Sequence, residues 1–126
     1  MRLLLDTHAL LWALATPAKL PAATAAAIRD PANAVFVSAA SAWEIAIKSA
    51  LGKLSADLDE IVRTSIEVGF EELVVTLAHA RRVRALPPRH RDPFDRMLVA
   101  QAIEEGLTVV TRDAAVGDYG VSTLWA

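Results

Sequence analysis

Apolar residues along this chain come in short blocks, each stopped after a few positions by a polar or helix-breaking residue. The first block, Leu3-Leu4-Leu5-Asp6, reads as a short strand buried on both faces, since such strands show continuous apolar runs rather than alternation. Residues 8–14 carry helical character with Trp12 on the apolar side. Thr16-Pro17 and Leu20-Pro21 punctuate the next connection, and a helix over 22–29 stops before Asp30-Pro31. Residues 34–37 predict a second strand. A helix capped by Ser38 or Ser41 then runs to residue 51, where Gly52 suits a left-handed C-terminal cap.

Further along, 58–68 reads as a helix, 72–75 as a strand, and 77–84 as a helix ending before Pro87-Pro88. Asp92 suits an N-cap and Pro93 the first helical position, opening a helix to residue 105 that Gly106 terminates. A strand over 107–110, a turn or short helix from Asp113, and a last strand over 121–125 complete the pattern. Strands alternate with helices throughout, which predicts an α/β fold in three layers with a mainly parallel central sheet flanked by helices. The 126 residues are read as one domain, 1–126, with no internal repeat or flexible linker.

Composition narrows the function classes. No apolar stretch reaches the roughly 20 residues of a membrane-spanning helix, because Asp6, His8, Glu44 and Lys48 interrupt the candidates. The apolar start at Leu3 is cut by Asp6 before it can serve as a signal peptide, so a cytoplasmic location is expected. The chain has no cysteine, which removes disulfides, thiolate metal sites and cysteine nucleophiles, so any metal must be held by oxygen or imidazole. A net charge of −2 lacks the basic footprint usual for nucleic-acid binding, but Arg81, Arg82, Arg84, Arg89, Arg91 and Arg96 crowd one segment.

Four acids stand where chemistry is expected. Asp6 and Asp113 follow strands, and open α/β sheets bind ligands outside the carboxyl ends of their strands. Glu44 lies in the helix after the second strand, and Asp95 in the first turn of the helix before the 107–110 strand. Ionised carboxylates about 4 Å apart repel by about 4 kcal/mol per pair at a surface effective dielectric. Four together therefore call for retained protons or a cation, and an all-oxygen donor set favours Mg²⁺ or Mn²⁺. Each acid also has a local reading. Asp6 fits a helix N-cap, Ser41-Ala42-Trp43-Glu44 fits a capping box, Asp95 fits a favourable charge at a helix start, and Asp113 fits a turn.

Taken together, four strings resemble the PIN-domain family, especially VapC toxins of toxin–antitoxin pairs. They are Leu3 to Trp12, Ser38 to Lys48, the stretch His90-Arg91-Asp92-Pro93-Phe94-Asp95-Arg96 with its continuation to Ala102, and Val110-Thr111-Arg112-Asp113. The resemblance spans nearly the whole chain. It implies a PIN-like sheet wrapped by helices and a Mg²⁺-dependent endoribonuclease acting on structured RNA such as tRNA or rRNA. It implies also a VapB-like antitoxin partner, and a homodimer or a hetero-oligomer with that antitoxin. The family's four acids map onto Asp6, Glu44, Asp95 and Asp113, as metal-binding and catalytic residues.

Around them, Asp92 supplements the metal shell or, with greater weight, serves as an N-cap. Thr111 can bond Asp113 or a metal-bound water. Lys48, one turn from Glu44, can pair with it or meet a phosphate, and Arg89, Arg91 and Arg96 can meet the RNA backbone. His8, His79 and His90 read as structural or solvent-facing, and the three tryptophans as core or interface anchors. Two competing readings remain open at this stage: a haloacid-dehalogenase-like phosphatase, disfavoured because its second acid falls on His8, and a catalytically silent PIN-like binding module.

Overall fold

The computed structural model describes all 126 residues. Strand β1 spans Arg2–Leu5, and helix α1 spans Thr7–Ala15; a single 3₁₀ turn over Pro17–Lys19 leads into α2, Ala22–Arg29. Strand β2 (Ala34–Ser38) is followed by α3 (Ala39–Ala50) and α4 (Leu58–Glu67), and β3 (Glu71–Leu73) by α5 (Leu77–Ala85) and α6 (Pro93–Glu105). Strand β4 (Thr108–Thr111), the short helix α7 (Ala114–Gly117) and β5 (Thr123–Trp125) end the described chain. The five strands form one sheet in the order β3-β2-β1-β4-β5, and every pair is parallel. No helix is long and apolar enough to cross a membrane.

The apolar run of β1 is explained by its central place. Leu3 and Leu5 enter one core cluster with Ala9, Leu10, Ala25, Ile28 and Ile45, while Leu4 enters another with Leu98, Val99, Ala102 and Val109. Successive side chains of a strand point to opposite faces, so a strand covered on both sides must be apolar at every position. The two clusters are thus the two interfaces of a helix–sheet–helix sandwich. They hold α1 to α4 on one face and α6 and α7 on the other.

Where boundaries differ from the sequence reading, pairing decides. Strand β1 ends at Leu5, and Asp6 leaves it to cap α1, its Oδ1 accepting the Ala9 amide at 2.8 Å. Strand β3 stops at Leu73 rather than 75 because its partner β2 ends at Ser38, the residue in register with Leu73. Helix α6 has the expected caps: Asp92 Oδ1 accepts from the amides of Phe94 and Asp95, and Gly106 ends the helix at φ +66°. That left-handed conformation costs a residue with a Cβ more than it costs glycine.

Candidate active site

The sheet order places a topological switch beside β1. The chain builds outward from β1 through β2 to β3, then returns to lay β4 on the other side of β1. Connections on the two sides diverge there, leaving a crevice at the carboxyl ends of β1 and β4. Asp6 is the residue after β1 and Asp113 lies two residues after β4, and the two segments are tied by the Asp6 amide donating to the Val110 carbonyl at 3.1 Å. Glu44 enters from the second turn of α3 and Asp95 from the first turn of α6. All four line one cavity of about 560 Å³, together with Thr7, His8, Trp12, Lys48, His90, Asp92 and Arg112.

Glu44 does not reach back to Ser41. Helix α3 begins one residue after Ser38, which supplies the cap, so the Ser41 hydroxyl lies inside the helix, buried and without a hydrogen-bond partner. The predicted capping box is therefore absent. Instead Thr7 Oγ1 donates to Glu44 Oε1 at 2.6 Å and Lys48 Nζ pairs with Glu44 Oε2, fixing both carboxylate oxygens at the cavity wall. The Glu44 contact raises the Lys48 ammonium above its ordinary pKa, chiefly through the hydrogen bond.

Asp6 and Asp113 combine a local and a site role. Each uses Oδ1 to cap a helix, toward the amides of Ala9 and Ala115. Asp113 Oδ2 turns into the cavity and accepts from His90 Nε2 at 2.7 Å. The same nitrogen lies 3.0 Å from Asp95 Oδ2. Asp92 N–H donates to His90 Nδ1, so the neutral imidazole carries its proton on Nε2, aimed between the two carboxylates. Thr111 Oγ1 accepts the Asp113 amide at 3.0 Å, and Asp92 spends Oδ1 as the α6 cap while bordering the cavity.

The electrostatics show crowding. Burial raises the Asp6 carboxyl above its ordinary value, opposed by hydrogen bonds from the Ala9 amide and Thr111, and by His8. Asp95 is pushed up to about 6, first by burial and then by the charge of Asp92, with His90 pulling the other way. Five carboxylates share the cavity with two cations, and one of these, Lys48, is already committed to Glu44.

The predicted basic contacts divide. Arg89 and Arg91 are exposed beside His90. Arg96 points inward instead, donating to the carbonyls of Val83, Leu86 and Pro87 and to the Tyr119 hydroxyl. There it ties the C-terminal end of α5 to the start of α6. Several cavity residues escaped the sequence reading, among them Thr7, Arg112, His90 and Trp12. His90 lay outside any periodic element, and its only local signal was a place two residues before an N-cap. Trp12, expected as a core or interface anchor, forms part of the cavity wall, with the Arg112 guanidinium 4.3 Å above its ring. Trp43 also departs from a core role: it is exposed and meets Phe94 edge-on at 5.4 Å.

Comparison with known proteins adds context to this geometry. The model of the PIN domain family matches residues 3–121. The chain is 38% identical to Ribonuclease VapC22 of Mycobacterium tuberculosis, covering 87% of this chain and 85% of that protein. Its fold is similar to a chain in the crystal structure of VapBC2 from Rickettsia felis bound to a promoter DNA fragment, with TM-score 0.73, 14% identity, and coverage of 99% and 98%. It is also similar to a chain of VapBC-1 from nontypeable Haemophilus influenzae, with TM-score 0.66, 14% identity, and coverage of 98% and 97%. A chain of FitAcB from Neisseria gonorrhoeae matches with TM-score 0.61, 21% identity, and coverage of 97% and 96%.

Proposed function

Because the chain belongs to the PIN-domain family, we propose that it is a Mg²⁺-dependent endoribonuclease, the toxin of a VapBC-type toxin–antitoxin pair, cutting structured RNA of the tRNA or rRNA kind. The observation that carries this reading is the convergence of Asp6, Glu44, Asp95 and Asp113 from four separate elements on one cavity at the carboxyl edge of the sheet. A phosphatase of the haloacid-dehalogenase type would need an acid where His8 stands, and a silent binding module has no use for so repulsive a cluster.

The residues fit a divalent ion. The donors are carboxylate oxygens, those of Asp95 and Asp113 lie within 4.8 Å of each other on either side of the His90 nitrogen, and the Asp95 pKa is raised by burial and then by the charge of Asp92, which a cation would offset. Asp6, Asp95 and Asp113 are the proposed ligands, with Glu44 completing the shell directly or through water. When bound, Mg²⁺ supplies charge neutralisation at the phosphodiester and eases deprotonation of water. Mn²⁺ suits the same oxygens.

The protein's own groups do the rest. Thr7 and Lys48 hold the Glu44 carboxylate so that it can orient the attacking water. His90 keeps Asp95 and Asp113 at a fixed separation, and Asp92 sets the first turn of α6 from which Asp95 projects. The cap duties of Asp6 and Asp113 leave little rotamer freedom to lose on ion binding, which is preorganisation of the site by secondary structure.

The antitoxin is proposed to dock an apolar helix on the groove between α3 and α4, where Leu58, Ile61 and Phe70 line the floor and Val62 and Ile66 are exposed. A basic side chain carried into the cavity would then neutralise the acids and block substrate. Purified protein should cleave RNA in Mg²⁺, stop in EDTA and resume on Mg²⁺ addition. Asp6→Asn should lower the rate by at least about a hundredfold, as removal of a charge-positioning group does, while leaving antitoxin binding in place. Wild-type turnover in that variant would defeat the assignment.

A further inference from the structure

Charge is divided unevenly along this chain. Residues 74–91 hold five arginines and no carboxylate, while the other eight basic residues share the remainder with all fifteen acids. The stretch forms α5 and the loop that leads from it to the acid cavity, where His90 lies. Helix α5 buries His79 and half-buries Val83, and it turns Arg81, Arg82 and Arg84 to solvent. Ala78 and Ala85 lie among these arginines, and their small side chains leave a notch of about 360 Å³ that Glu104 of α6 closes on one side. Arg82 Nε is paired with Glu104 at 2.6 Å, but Arg81, Arg84, Arg89 and Arg91 form no ion pair.

The dipole of α5 accounts for Arg82 and Arg84 in its last turn. It does not account for Arg89 and Arg91, which stand beyond the helix, or for Arg81, whose place three residues before Arg84 sets like charges side by side. The helix that carries them is held at both ends. Thr76 and His79 form a capping box at its start, where His79 Nε2 also meets Glu105 Oε1 of α6 at 2.8 Å. At its other end Arg96, turned inward from α6, donates to the carbonyls of Val83 and Leu86. The notch therefore keeps a set place relative to Asp95. From Glu104 back to Asp95 is nine residues of α6, about 14 Å at the helical rise.

A polyanion reaching the acids meets five carboxylates, so its affinity must come chiefly from cations outside the cavity. We propose that the outer face of α5, through Arg81 and Arg84, and the loop arginines Arg89 and Arg91 form one track for the RNA backbone beside the bond being cut, with a phosphate seated in the notch. The proposal rests on the ribonuclease reading and adds to it a substrate-holding surface remote from the acids. Recognition there is by charge: guanidinium forks match phosphate oxygens, and contacts to phosphate carry no base information, so the track holds RNA of any sequence. Arg82, offset by Glu104, braces the wall of the notch.

The test is binding of a labelled single-stranded oligoribonucleotide of mixed sequence, measured with Ca²⁺ in place of Mg²⁺ over a series of salt concentrations, with Mn²⁺ affinity measured separately by calorimetry. Arg81→Ala combined with Arg84→Ala should reduce the slope of log affinity against log salt by about 1.4, the share of two single-strand phosphate contacts, which at about 0.1 M salt is a loss of about 25-fold. Mn²⁺ affinity should stay as in the wild type. Lysine at both positions should keep the slope, since the charges remain. Glu104→Gln, which releases Arg82, should steepen the slope by about 0.7. Arg29→Ala removes an exposed arginine from the last turn of α2, across the sheet from α6, and should leave the slope unchanged.

Both positions are exposed and alanine favours the helix, so the double variant should fold; if it does not, Arg81→Gln with Arg84→Gln is measured for the same loss of slope. An unchanged affinity and slope in a folded variant lacking both charges, or an equal loss from Arg29→Ala, would overturn the proposal and leave the ribonuclease reading standing. Wild-type RNA binding with loss of antitoxin co-purification would overturn it too, by making the basic face a protein contact. Failure of the wild type to bind RNA with a divalent ion, or to cleave it with Mg²⁺, would remove both.

Discussion

Asp95 carries opposing demands, and its ionisation makes them measurable. Its folded pKa of about 6 lies above the ordinary aspartate value of 3.8, so the metal-free folded protein holds a proton that the unfolded chain has already released over that interval. Stability of the metal-free protein should therefore fall as pH rises from about 4 to about 6 and lose nothing further from this group above that. Asp95→Asn should remove this dependence and raise metal-free stability at neutral pH by about 1 to 2 kcal/mol, read as a higher urea midpoint, given about 1.4 kcal/mol per pKa unit. The same variant should lose RNA cleavage. In the wild type the proton competes with the cation, so Mg²⁺ affinity should weaken as pH drops below about 6. A flat stability profile between these values, with Asp95→Asn no more stable, would show that burial and the neighbouring Asp92 charge do not raise the Asp95 carboxyl.

At the scale of elements, α3 and α6 deliver Glu44 and Asp95, and a buried hydrogen bond helps to register them against each other. Ser38 caps α3 by accepting the Ala40 amide at 3.0 Å and donates to Gln101 Oε1 of α6 at 2.6 Å. Gln101 passes the link to the Val74 carbonyl beyond β3. Both side chains are fully buried. Ser38→Ala should lose the cap and strand the Gln101 oxygen, a destabilisation of about 2 to 4 kcal/mol from the sum of the two effects. Thermal unfolding would register it as a lower midpoint, and a midpoint within a degree of wild type would show that the link does not hold the two helices. The register of these helices could not be read from the chain. Ser38 and Ser41 are equally good caps by type, and only the end of β2 at Ser38 selects between them. With Ser38 chosen, Glu44 moves out of capping range and its side chain is free for Thr7 and Lys48.

For the whole molecule, the parallel sheet turns one edge into a rim where every strand ends and where β1 to β4 each give way to a helix. The order β3-β2-β1-β4-β5 puts the switch at β1, so the acids that follow β1 and β4 meet although more than a hundred residues separate them in sequence. Away from that rim, α4 presents Val62 and Ile66 to solvent beside an apolar groove. Ile66→Glu should abolish co-purification of the antitoxin while sparing RNA cleavage, because the change lies outside the acid cavity and a buried unpaired charge is incompatible with an apolar contact. Undiminished co-purification would move the antitoxin to another face.

The sequence by itself determined the alternation of strands and helices and the caps at Asp92 and Gly106, and it singled out the four candidate acids. These are local matters of apolar period, backbone preference and motif, and they are written in neighbouring residues. Only the tertiary structure decided how those acids are held. The Thr7 hydroxyl on Glu44, the His90 imidazole on Asp113, and the Arg112 guanidinium over Trp12 join residues 23 to 100 positions apart. No local pattern encodes such pairs, since their partners are chosen by strand order and helix register. The same histidine or tryptophan in another fold would be a loop residue or a piece of core.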